Sequence, residues 1–261
     1  MRVAHLVDPR ADCDALAARL GARRSDAAQV LANDLDGIVI CSSTASHADL
    51  LLAAAKRGLA VFCEKPVLLD WPTVARVTEA VEASGIRCMM DFQRRYDPNF
   101  RAVRDRIASG AAGRLEQLAM HTLDPAPPPV DYVRRSGGML RDQAIHDFDQ
   151  GRFLCGEEIA AVHAVGDCQI DEGNGAAGDI DTLAAAMPTQ SGRMVAMTNS
   201  RRSPLGYDQR LEAHCAGEVL FIDSRPQTDI RDGYEAQRLA EAALASLAAG
   251  RTVDLRDGWQ P

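Results

Sequence analysis

The residues best suited to chemistry lie between positions 137 and 149, in the run GGMLRDQAIHDFD. Gly137-Gly138 breaks the chain, and the residues after it read as helix as far as Gly156. At about 100° per residue, Leu140, Ala144, Phe148, Gly151 and Cys155 fall on one side, while Asp142, His146 and Asp149 gather on the other. Asp142 and His146 are four residues apart, a spacing at which helical side chains touch. A carboxylate beside an imidazole raises its basicity and orients it, as a general base requires. An ordinary amphipathic helix with a solvated polar stripe has the same spacing, so both readings stay open on this stretch alone. A metal at Asp142, His146 and Asp149 would need a further ligand that the spacing does not supply, and none is expected.

The elements that must position these groups come in two rhythms. Residues 3–7 form a short apolar strand ending in Asp8-Pro9, followed by helices over 12–20 and 26–32. The continuous apolar run 37–41 is of the kind buried on both faces of a parallel sheet. A helix over 46–57, a strand over 60–63, a helix over 72–84 and a strand over 86–91 complete an α/β alternation with right-handed crossovers. Near Tyr96 the rhythm changes. A helix over 99–109 and a strand over 115–122 lead to DPAPPPVDY, whose prolines predict an extended loop. After the central helix come strands at 161–170, 180–187, 193–199, 209–215 and 218–222, which read as an antiparallel sheet, and a last helix over 233–249. The domains predicted are 1–95 and 96–261.

Ligands of open parallel sheets bind beyond the carboxyl ends of the strands. Asp8, residues 41–44 and the Glu64-Lys65-Pro66 turn all sit at such ends. An acid in the place of Asp8 is the usual partner of a ribose 2′-hydroxyl, although an Asp-Pro pair also makes a plain turn. Lys65 has its backbone direction fixed by Pro66; it either polarises a substrate hydroxyl or faces solvent. Residues 173–178 spell G-x-G-x-x-G, but they follow Asp171-Glu172 and lead into a strand. That context cannot present helix amides to a pyrophosphate, so a flexible hairpin loop is expected there.

Composition excludes several classes. A chain of 261 residues with 46% hydrophobic and 25% charged residues is long and apolar enough to bury a sizeable core. A net charge of −8 argues against nucleic acid or an anionic membrane as partner. No apolar run is long enough to span a bilayer, and the first ten residues lack a signal-peptide pattern. Seven scattered cysteines without a CxxC pair fit reduced thiols in a cytoplasm.

Several segments together resemble one family: FCEKP (62–66), FQRRYDPNF (92–100), DPAPPP (124–129), SGGMLRDQAIHDFDQGRFLCGEE (136–158), GDIDT (178–182) and NSRRSPLGYDQR (199–210). They are similar to the glucose–fructose oxidoreductase / inositol dehydrogenase / rhizopine-catabolism family, with the inositol 2-dehydrogenases as the nearest group. The EKP turn and the D-x-x-x-H helix are specific as a pair. The resemblance implies a truncated Rossmann-type parallel sheet, followed by a domain with an open, mostly antiparallel sheet. It implies hydride transfer from a polyol or sugar hydroxyl carbon to NAD. Lys65, Asp142 and His146 would be catalytic: His146 takes the hydroxyl proton, Asp142 holds the imidazole, and Lys65 hydrogen-bonds the reacting oxygen. Asp8, Ser42, Thr44, His47, Glu64 and Lys65 would line the cofactor. Arg95, Asp124 and Tyr207 would contact substrate. The charge of Asp8 would favour NAD over NADP. A homo-oligomer is expected to form through the broad sheet of the second half.

Three departures from the family pattern stand out. The family's first strand, Gly-rich turn and helix precede the segment that starts here at Met1, and their amides cradle the pyrophosphate. Between Asp223 and Gly233 only a short linker stands where the family has a longer segment, and the loop at 41–47 lacks a proline usual there. The alternative to an NAD-dependent enzyme is therefore a degenerate, non-catalytic member acting in binding or assembly.

Overall fold

The computed structural model describes residues 2–8 and 13–223. Pro9 and the helix expected over 233–249 lie outside the described residues.

The first half is built on short parallel strands. β1 (His5–Leu6) pairs with β2 (Arg23–Arg24). β3 (Gly37–Ile40), β4 (Ala60–Cys63) and β5 (Cys88–Met90) form a separate parallel sheet in that order. Helices α1 (Asp14–Leu20), α2 (Ala27–Ala32), α3 (His47–Arg57) and α4 (Trp71–Ser84) alternate with the strands. Sequence starts α2 and α4 by the same device: the Asp26 carboxylate accepts from Gln29 N, and that of Asp70 from Thr73 N. Leu51 and Ala54 of α3 and Val77 of α4 pack with Ile40, Val61 and Cys63 into one core. β3 was expected to be buried on both faces. Instead it is an edge strand: Ile40 enters that core, while Val39 on the other face is 65% exposed.

The second half is a six-stranded sheet in the order β11-β10-β6-β9-β8-β7. Its strands are β6 (Leu115–Leu123), β7 (His163–Asp167), β8 (Thr182–Pro188), β9 (Met194–Ser200), β10 (Asp208–Cys215) and β11 (Val219–Asp223). Every pairing is antiparallel except β6 with β9. Alternation along β8 buries Leu183, Ala185 and Met187 on one face, where helix α5 (Pro98–Ala108) contributes Phe100 and Val103. Gly173–Gly178 was expected to be a flexible hairpin loop. Most of it forms the short helix α9 (Glu172–Ala176), started by Asp171, whose carboxylate accepts from Gly173 N at 2.8 Å. It bridges antiparallel strands, and its glycines lie inside the helix rather than in a turn ahead of it.

Two further expectations change around the central stretch. The extended loop after the prolines ends at Pro129, which opens α6 (Val130–Ser136). Proline suits the start of a helix because its ring fixes φ and no donor is needed there. The single helix expected up to Gly156 is two: α7 (Gly138–Asp142) and α8 (Ile145–Cys155). Gln143 N and Ala144 N both bond Met139 O, and His146 N reaches back only to Gln143 O, so the regular ladder is interrupted between Asp142 and His146. At the start of α7, Gly138 has φ +78°, and a Cβ there would run into the Asp179 carboxylate, which accepts from Met139 N.

Candidate active site

The EKP turn leaves the end of β4 and reaches across to the second half. Lys65 Nζ lies 2.7 Å from the main-chain oxygen of Asp142 and 3.0 Å from its Oδ1. The two side chains are each 17% exposed, so the pair is sheltered but reachable. Tyr132 of α6 donates to the same Oδ1 at 2.9 Å. Asp142 is thus held by Lys65 and Tyr132 rather than hydrogen-bonded to the imidazole that helical spacing had suggested.

His146 sits in the first turn of α8 with Phe92 edge-on to its ring, centroids 6.2 Å apart. Its Nδ1 is buried with no hydrogen-bond partner among the described residues. Burial first, then the charges of Lys65 and Arg94, bring its pKa down to about 4, against the smaller upward pull of Asp142. The expected rise in basicity is therefore reversed: desolvation and two cations outweigh one carboxylate. The ring is neutral at physiological pH, the form that accepts a proton.

Directly after His146 comes a carboxylate that the sequence reading did not single out. Asp147 is 2% exposed and accepts from Arg94 Nη1 at 2.6 Å, Thr122 Oγ1 at 2.8 Å and Asn199 Nδ2 at 2.6 Å. Arg94 belongs to the 3-10 turn Gln93–Tyr96, Thr122 to β6 and Asn199 to β9, so one side chain fastens α8 to the turn and both central strands. With the Gln209 amide turned to match its neighbours, its oxygen accepts from Arg94 Nε at 2.9 Å and from the Tyr207 hydroxyl at 2.7 Å. The available signal was an aspartate among residues that must face a sheet: a carboxylate there needs partners.

The remaining residues separate into groups. Asp124, just past the end of β6, has its carboxyl pushed up by burial, with Arg201 opposing and Asp142 adding to the rise. Arg95 is bidentate on Asp149, at 2.8 and 2.5 Å, and lies over the Phe153 ring. Asp149 was expected on the stripe with His146; it is buried and held by that arginine. Tyr207 is exposed beside Gln209. At the sheet rim, Ser42 Oγ is 2.6 Å from Ser46 Oγ, and Thr44 opens the 3-10 turn Thr44–Ser46. The Glu64 carboxyl is pushed up by burial and by its hydrogen bond with Asp91. The main-chain oxygen of Asp8 accepts from Arg24 at 2.9 Å. His47, expected to line the cofactor, is set deep beneath the rim. It is 1% exposed, its ring lying between the carbonyls of Pro66 (2.8 Å) and Ser42 (3.1 Å), where it ties the two rim turns together.

Comparison with known proteins gives this geometry a family. The chain is 44% identical over 216 residues to an inositol 2-dehydrogenase of Rhizobium meliloti (strain 1021), covering 81% of this chain and 65% of that one. It is 39% identical over 197 residues to a myo-inositol 2-dehydrogenase of Thermotoga maritima, covering 76% of this chain and 59% of that one. The chain thus spans under two thirds of the length of these curated relatives. The crystal structure of a myo-inositol dehydrogenase from Corynebacterium glutamicum superposes with a TM-score of 0.82 at 32% identity, covering 98% of this chain and 91% of that one. Residues 1–92 match the oxidoreductase family with an NAD-binding Rossmann fold, and residues 100–220 match the GFO/IDH/MocA C-terminal domain. On both halves, the chain belongs to the GFO/IDH/MocA oxidoreductase family.

Proposed function

We propose that this chain oxidises a secondary hydroxyl of an inositol-like polyol, the hydride passing to NAD. The observation that carries the reading is the approach of Lys65 Nζ, from the parallel-sheet half, to within 3.0 Å of Asp142, one short turn before His146 in the other half. The similarity to inositol dehydrogenases supports the substrate class. In this reading His146, neutral and sheltered, accepts the hydroxyl proton. Lys65 donates a hydrogen bond to the reacting oxygen and favours its developing negative charge. Asp142 keeps Lys65 in place and offsets the second positive charge created when His146 is protonated. Asp124, just past the end of β6, would hydrogen-bond a further substrate hydroxyl.

The rim fits a dinucleotide in part. Asp8, Ser42, Thr44 and Glu64 follow strand ends of the parallel sheets, where Asp8 would take a ribose and Glu64 with Lys65 would border the nicotinamide. NAD, when bound, supplies the hydride acceptor. Among the described residues no Gly-rich turn stands between a parallel strand and a helix to receive the pyrophosphate. One observation favours the second reading, a non-catalytic binding or assembly protein: β1–β2 and β3–β5 share no ladder, and Val39 lies open on the edge strand β3. Titration with NADH, followed by nicotinamide fluorescence, separates the readings. The enzyme reading requires saturable binding and NADH formation from NAD and a polyol; no binding at millimolar cofactor would sink it for this chain.

We also infer self-association through the face of the six-stranded sheet opposite α5 and α8. Val165, Met194 and Phe221 are exposed there, a load of apolar surface suited to a second copy. Light scattering on the purified chain should give a multiple of 28.1 kDa; a monomer at micromolar concentration would contradict the inference.

A further inference from the structure

Tyr132 is the one polar side chain that shares an oxygen with the Lys65–Asp142 pair among the described residues, and nothing in the sequence pattern had marked it. It lies on α6, the helix that opens directly after the prolines. Its hydroxyl and Lys65 Nζ both donate to Asp142 Oδ1, at 2.9 and 3.0 Å, while Lys65 is also held by the Asp142 main-chain oxygen at 2.7 Å. A carboxylate oxygen with two donors is fixed in direction as well as in charge. We propose that Tyr132 is a positioning residue, whose hydroxyl holds the Asp142 carboxylate in the orientation that presents Lys65 to the substrate oxygen.

Three features support this. First, the bond crosses the break between α6 and α7, made by Gly137 at φ +86° and Gly138 at φ +78°, so the hydroxyl pins α7 from outside its own backbone ladder. Second, the phenol keeps its proton under working conditions, so it meets the carboxylate as a donor. Burial, the Asp142 charge and the hydrogen bond to it raise the phenol to about 12, Glu64 adding to the rise and Arg201 opposing it. Third, without the phenol, Lys65 would be the remaining protein donor to Oδ1, and turning Lys65 toward a substrate would leave that oxygen to solvent alone. Tyr132 keeps it satisfied in both arrangements, which lowers the cost of releasing the ammonium group to the reacting oxygen.

The inference rests on the dehydrogenase reading, and its test keeps the two apart. Tyr132→Phe retains the ring and removes only the hydroxyl. With NAD and a polyol substrate, kcat should fall about tenfold, the scale of one charge-assisted hydrogen bond, with KM and the thermal midpoint nearly unchanged. An unaltered kcat, or a loss carried wholly by KM, would overturn the positioning role. Independently of turnover, [13Cζ]tyrosine NMR reports the phenol itself, with Tyr132→Phe assigning its signal. Asp142→Asn should lower the ionisation of Tyr132 from about 12 by about one pH unit. A midpoint that does not move means the two groups are uncoupled and removes the proposal. Absence of NADH formation by the wild-type chain would defeat the dehydrogenase reading, and the NMR result would still decide whether Tyr132 and Asp142 act together.

Discussion

Two carboxylates five positions apart, Asp142 and Asp147, use a basic partner in opposite ways. Asp147 is 2% exposed and its partner Arg94 7%; Thr122 donates to the same oxygen as Arg94, and Asn199 to the other. Asp142 and Lys65 are 17% exposed, come from opposite halves, and keep a phenol in reserve. Arginine suits the first role: its planar, permanently charged fork satisfies a buried carboxylate in fixed geometry. Lysine suits the second, because a compact ammonium on a flexible stem can turn from carboxylate to substrate oxygen. A saturated pair makes an anchor. A pair with an exposed side and a spare donor can exchange partners.

Breaking each pair in turn sharpens that contrast. Asp147→Ala leaves the Arg94 charge buried and should cost roughly 3–5 kcal/mol of stability, read from urea unfolding. Lys65→Met should lower kcat about 10²–10³-fold, with a stability loss well below that of Asp147→Ala. Equal stability losses from the two substitutions would mean that both pairs are anchors. Gly138→Ala forces a side chain into the left-handed region and against the Asp179 carboxylate. It should destabilise by about 1–3 kcal/mol and lower kcat through the misplaced α7.

The smallest effect is the pH dependence. His146 falls from 6.5 when unfolded to about 4 when folded, so the unfolded chain binds the proton more readily between those values. The stability contributed by the neutral ring is fully present above 6.5 and is lost as pH falls toward about 4. Against His146→Asn, which lacks the titration, the wild type should lose on the order of 2 kcal/mol more across that window. Parallel pH curves for the two proteins would show that the ring titrates alike folded and unfolded.

Much of this was legible in the residues. The strand at Ala60–Cys63, the EKP turn after it, and the change from parallel to antiparallel pairing all follow from local pattern. The approach of Lys65 to Asp142 does not: local pattern left Lys65 either on a substrate or in solvent, and only the family resemblance put the two together. What escaped depends on tertiary surroundings. The four-residue spacing of Asp142 and His146 assumed one continuous helix, whereas the ladder breaks at Gln143. The four prolines concealed α6, because the last of them starts a helix as readily as it extends a loop. The basicity of His146 was misjudged because sequence places the carboxylate but does not reveal the burial and the two cations beside it. His47 reads as a rim residue in sequence, and only the fold shows its ring taken up by two main-chain carbonyls.

The proposed reaction turns on proton acceptance by His146 within reach of Lys65. Its most direct test is the rate of NADH formation from NAD and an inositol by the wild-type chain and by His146→Ala, with NADH affinity followed by fluorescence on the same samples. Turnover by the wild type, its loss by at least about 10²-fold in the variant, and nearly equal cofactor affinity are the predicted outcome. A variant that turns over at the wild-type rate would contradict it.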